Sequence, residues 1–142
     1  MGRLFSLFGI GLLSTCSVGV NTGVNTTDRL WAPNAPISEY APPEWYREVW
    51  QAAVDCAKKT RPTFGDTYDE IVWFNVYADS FQVGSRWVLA AYTPYTGGRR
   101  HRIYMGRLAR IPSFEPTAVA HEAIHASTLI FSHPPDLYGR CP

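Results

Sequence analysis

The stretch AVAHEAIHAST, residues 118–128, restricts the fold more than any other part of the chain. Small and branched apolar residues at 118, 119, 120, 123, 124 and 126 read as a helix that is apolar on almost every side, and such a helix belongs inside a domain. Into this run the sequence sets His121, Glu122 and His125. Residues four apart share a helix face, so the two imidazoles project side by side and can present nitrogens to one metal ion about 2.0 to 2.1 Å from each. Glu122 falls one residue along, beside that site, where it can take a proton from a metal-bound water. Burying these groups without a task would be costly. The pattern therefore predicts a metal-binding helix, spanning about 116–131, that is built into the core.

A catalytic zinc site needs three protein ligands and one open position. Downstream of His125 the good ligand types are His133, Asp136 and Cys141, and no glutamate follows. Imidazole suits zinc, and Pro134 and Pro135 force the chain out of a helix beside His133, which favours His133 over Asp136. One geometric condition follows. Continuous helix would carry His133 about 12 Å away from His125, so the helix has to stop near residue 131 and the chain has to turn back.

The rest of the chain reads as the frame for this helix. In PPEWYREVWQAAVDCAKK, residues 42–59, prolines suit a helix start, and Tyr46, Val49, Trp50, Ala53, Cys56 and Ala57 recur at helical spacing. The runs DEIVWFNVYA (69–78), FQVGSRWVLAAYT (81–93) and HRIYMGRLA (101–109) are dense in β-branched and aromatic residues and predict three strands. Residues 20–43, rich in Asn, Thr and Pro, read as a linker: either a tether or an arm laid on the surface. A net charge of +1 gives no basic surface for nucleic acid, and 46% apolar residues give enough material for a core.

The first residues, MGRLFSLFGIGLLSTCSVGV, run from basic to apolar to small. That order predicts a secretory signal peptide over 1–19, too short for a membrane span of about 20 apolar residues. Leu13-Ser14-Thr15-Cys16 resembles a bacterial lipobox, so Cys16 is either lipidated or lies near an ordinary cleavage site. In an exported chain the remaining pair, Cys56 and Cys141, reads as one disulfide. It would close a loop worth roughly 4 kcal/mol in the chain-entropy model and hold down a tail that carries candidate ligands.

AVAHEAIHA resembles the active-site helix of the zincin metallopeptidases. WYREVWQAAVDC, DEIVWFNV and HPPDLYGRC are similar to a group of small bacterial secreted proteins and lipoproteins, which share a Trp-rich helix ending in Cys and a His-Pro and closing Cys after the histidine motif. The resemblance implies His121 and His125 as ligands, Glu122 as general base and His133 as third ligand, and it supports the Cys56–Cys141 pairing. Tyr138 follows the motif closely and reads as a phenol placed to assist the oxyanion, with Arg140 as a second candidate. Thr128 stands where a metzincin has glycine, so the likeness is to zincins at large. In zincins the substrate lies along an edge strand beside the active-site helix. The strand at 101–106, last before the motif helix, is the expected edge, and Arg99, Arg100 and Arg102 beside it read as a solvated charge run.

The expectation is an α+β, zincin-like domain over 44–142, with an N-terminal helix, a small twisted sheet of three or four strands, the motif helix and a disulfide-stapled tail. It would be a monomer with bound zinc (Zn2+), acting on a peptide or protein substrate, with no nucleic-acid partner and no membrane contact except through an N-terminal lipid. Its expected location is the bacterial cell envelope, lipid-anchored or periplasmic, or the secreted fraction. The competing expectation is a non-catalytic envelope protein in which a metal is structural or absent and the aromatic surface binds a partner.

Overall fold

A computed structural model of the chain describes residues 32–63, 68–94 and 101–141. The leader with Cys16, the first part of the 20–43 segment, and Arg99 and Arg100 lie outside the described residues. The fold is α+β, with three α-helices, a four-stranded mixed sheet and a separate two-stranded hairpin among the described residues.

Helix α1 (Trp45–Ala57) turns Tyr46, Trp50, Ala53, Val54 and Ala57 inward, the spacing of a helix buried along one stripe. Helix α2 (Glu115–Thr128) carries the histidine motif, has Pro116 in its first turn and is buried on nearly every side from Ala118 onward. Both helices pack into one core cluster with Trp73, Ile103 and Met105 of the sheet. Alanine at 118, 120, 123 and 126 lets the helices approach closely. The Tyr46 hydroxyl donates to the Glu115 carboxylate, so the first turns of the two helices are tied together.

The sheet has the order β1 (Ile37–Glu39), β2 (Val72–Val76), β6 (Arg102–Met105), β5 (Ala90–Thr93). Strands β2 and β6 run parallel, and β1 and β5 flank them antiparallel. Alternation along the strands sorts two faces. Trp73, Ile103 and Met105 meet the helices, whereas Val76 and Tyr104 meet Phe81 on the opposite side. That second face is covered by the hairpin of β3 (Phe81–Val83) and β4 (Arg86–Val88).

Two sequence expectations change here, and one open alternative is decided. The run 81–93 is three strands, because Gly84 at φ 61° supplies the first central position of a two-residue hairpin turn and the chain then enters β5 as a separate element. Strand β6 is internal, paired on both sides, so the expected edge role falls to β5. Within 20–43, the described part is an arm laid on the sheet: β1 pairs with β2, and Asn34 exchanges two hydrogen bonds with the Gln82 backbone.

Past α2 the chain reaches a third helix, α3 (Pro135–Tyr138), whose Leu137 is fully buried. Cys56 and Cys141 form a disulfide across a sequence separation of 85. Such bridges persist in oxidising compartments, the setting of exported proteins. Among the described residues no helix is long and apolar enough to cross a membrane.

Candidate metal centre

Helix α2 stops at Leu129, which adopts a left-handed conformation (φ 57°) while its N–H still bonds the His125 carbonyl. A leucine in that region is strained by roughly 1 kcal/mol, and the turn it makes is what sends the chain back over the histidines. Pro134 is extended and Pro135 opens α3, so His133 is held between a reversed turn and a new helix. Its ring stacks on His121, with centroids 4.9 Å apart.

Three imidazoles therefore converge. The Nε2 atom of His121 lies 3.1 Å from Nε2 of His125 and 3.0 Å from Nε2 of His133. The three ligand atoms all fall within 4.8 Å of one another. Tetrahedral zinc with Zn–N bonds of about 2.0 to 2.1 Å spaces its nitrogens about 3.3 Å apart, so the observed separations fit after small ring movements. Burial supports the same reading. His125 is buried, His121 half-buried and His133 exposed, which gives two anchored imidazoles and one at the mouth.

Electrostatics keep two of the imidazoles in the neutral form that a cation requires. Desolvation holds His121 down to about 4, with further lowering by His125 and His133. Desolvation likewise holds His125 down to about 4, partly offset by the Ile130 carbonyl and lowered further by His133. The neutral imidazole is the ligand form. Nδ1 of His125 donates to the Ile130 carbonyl at 2.6 Å, which fixes the tautomer and leaves the Nε2 lone pair facing the cluster.

Glu122 is almost fully buried, and burial pushes its carboxyl up to about 8 against a weaker opposing bond from the Tyr92 backbone N–H. Its Oε2 has no hydrogen-bond partner among the described residues. A buried carboxyl oxygen without a partner, one residue from a three-histidine cluster, fits a site made for a cation and a water.

Of the remaining sequence candidates, Asp136 pairs with Arg61 at 2.7 Å and stays out of the cluster. Arg140 is exposed and lies outside the histidine cluster. The Tyr138 hydroxyl lies 2.6 Å from Nδ1 of His125 and donates to the Ile130 carbonyl at 3.5 Å. It therefore sits behind a ligand, at the nitrogen opposite the cluster, and its phenol is pushed above the usual range chiefly by burial.

The site opens onto a cleft of about 880 Å³ walled by α2, β5, the β3–β4 hairpin, Phe131 and His133. Sequence reasoning missed this wall. Phe131 stacks on both His125 and Tyr92, and the Tyr92 hydroxyl bonds Nδ1 of His101 at 2.8 Å. Its one signal was Gly84-Ser85, a weak mark within an apolar run of thirteen residues, 81–93. In a comparison with known proteins, no family model, no curated protein and no solved structure matches the chain.

Proposed function

We propose that the protein is a zinc-dependent metallopeptidase of zincin-like type, with His121, His125 and His133 as ligands and Glu122 as general base. The observation that carries this reading is the convergence of three Nε2 atoms in the lining of an open cleft, with the unpartnered Oε2 of Glu122 in the same lining. Bound zinc would supply a Lewis acid that acidifies a water and polarises the scissile carbonyl, and a positive charge that favours the ionised form of Glu122.

The chain's own residues do the rest. Glu122, held by the Tyr92 N–H, takes the proton from the attacking water and delivers it to the leaving amine. Tyr138 and the Ile130 carbonyl orient His125, a positioning role in place of direct oxyanion assistance. Strand β5, an edge strand among the described residues, lies beside α2 in the cleft lining and is the strand along which an extended peptide would align.

A structural site would be closed by a fourth protein ligand. Among the described residues the metal-competent group has three members, and the nearest acidic alternative, Asp136, is engaged by Arg61. This favours the enzyme over a binding module with a structural metal. The test is zinc content and peptide cleavage together. Wild type should hold one zinc and cleave, His121→Ala and His133→Ala should lose the metal, and Glu122→Gln should keep the metal and lose turnover. Full occupancy in both histidine variants would refute the ligand assignment.

A further inference from the structure

The charge on the cleft wall is concentrated in one place. On β4 successive side chains alternate, so Arg86 and Val88 line the cleft while Trp87 is 67% exposed away from it. Four other arginines are held by carboxylates, Arg47 by Asp69, Arg61 by Asp136, Arg107 by Asp79 and Arg110 by Glu115. Arg86 has no ion pair or hydrogen bond with any described residue. It is also presented on a firm support. Phe81 of the same hairpin is fully buried, Val83 pairs with Arg86, and Asn34 clamps Gln82 from outside.

The cleft that Arg86 lines is partly apolar, with Val83, Val88, Ala90 and Phe131 beside the polar Gln82 and Ser85, and its one acidic member, Glu122, is buried. A planar guanidinium with free donors is suited to a carboxylate, which it can bind through two parallel hydrogen bonds. Neighbouring apolar surface suits an aliphatic or aromatic side chain.

Resting on the peptidase reading, we infer that Arg86 sets substrate class: the cleft takes peptides that place a carboxylate against Arg86 and an apolar residue next to it. The carboxylate comes either from an Asp or Glu side chain or from the peptide's own C-terminus. The chemistry recognised is the same, and two substrate arms separate the sources.

The experiment uses the zinc-loaded full chain and three quenched peptides of otherwise equal sequence. One has an internal Glu and an amidated end, one is neutral with a free C-terminus, and one is neutral and amidated. Wild type should cleave at least one carboxylate peptide with kcat/KM about tenfold above the neutral amidated peptide. Arg86→Gln should bring that ratio close to one, mainly through KM, and Arg86→Glu should push it below one by repelling the carboxylate. Fluorescence anisotropy with the same peptides on Glu122→Gln, with and without Arg86→Gln, reads binding independently of turnover. Cleavage without carboxylate preference, or a preference that survives Arg86→Gln, overturns the assignment to Arg86 and leaves the peptidase reading intact. Arg86-dependent carboxylate binding without any cleavage by wild type sustains Arg86 and refutes the peptidase reading. Neither binding preference nor cleavage refutes both.

Discussion

Replacing Glu122 by Gln should make the metal-free protein more stable at neutral pH while abolishing hydrolysis. The Glu122 carboxyl is 3% exposed and pushed from the usual 4.5 up to about 8, chiefly by burial. Between these values the unfolded chain carries an ionised carboxylate, whereas the folded chain has to keep the group protonated. The native state then binds the extra proton, so its stability is full below pH 4.5 and declines as pH rises toward 8. At ~1.4 kcal/mol per pH unit, roughly 3 kcal/mol is lost by pH 7. Glutamine has nearly the same shape, keeps an oxygen for the Tyr92 N–H and has no proton to take up. The expected gain in Glu122→Gln is therefore about 3 kcal/mol at pH 7, or on the order of 10 °C in Tm for a domain of this size, and close to zero near pH 4. Urea unfolding of chelator-treated protein, followed by the fluorescence of buried Trp73, measures it at several pH values. A difference between the two proteins that stays flat from pH 4 to 8, or a variant less stable at pH 7, would refute the reasoning. A functional carboxyl that costs stability in the absence of its cation is the expected mark of a site shaped for chemistry.

Other outcomes follow from the same geometry. Tyr138→Phe removes the hydroxyl behind His125 and should lower zinc affinity about tenfold in competition with a chelating dye, with the fold intact. Asp136→Asn breaks only the half-exposed pair with Arg61. It should change zinc affinity by less than about twofold and stability by under about 1 kcal/mol in urea titrations. In the metal-free Glu122→Gln background, where the opposing carboxyl is gone, Tm should fall as pH drops from 6.5 toward 4. Over that window His121 and His125 stay neutral in the fold and are protonated in the unfolded chain. A pH-independent Tm there would show that neither imidazole is desolvated.

What was legible in the sequence was local. Helical spacing marked α1 and α2, and ligand chemistry with two prolines selected His133 over Asp136. Cysteine arithmetic gave the disulfide found between Cys56 and Cys141. What escaped depended on pairing partners far along the chain. β6 is a short apolar strand whether it lies at an edge or in the middle, and only its bonds to β2 and β5 decide. The run 81–93 is apolar enough to read as one strand, and the single Gly84 that folds it back carries little weight in a pattern of that length. β1 is three residues among prolines and asparagines, below what alternation can reveal. Tyr138 could be placed near the histidines by spacing, but spacing says nothing of which nitrogen it meets.

The tail explains how a site can depend on so few residues. His133 returns to the cluster only because Leu129 accepts a left-handed turn, and ordering the residues that follow costs conformational entropy. The anchors that offset it lie beyond His133, within eight positions: Leu137 in the core, Asp136 on Arg61, and Cys141 on Cys56. The segment between Leu129 and these anchors is thus a closed loop with the third ligand at its middle. Opening the loop by Cys56→Ser with Cys141→Ser should lower stability by roughly 4 kcal/mol in the chain-entropy model and weaken zinc binding by freeing His133. Coupling of this kind is reciprocal. If the covalent tie raises metal affinity, bound metal has to protect the tie by the same factor. Zinc should therefore slow reduction of the bridge by dithiothreitol in wild type and fail to do so in His133→Ala. Equal reduction in both would mean that tail and metal site close independently.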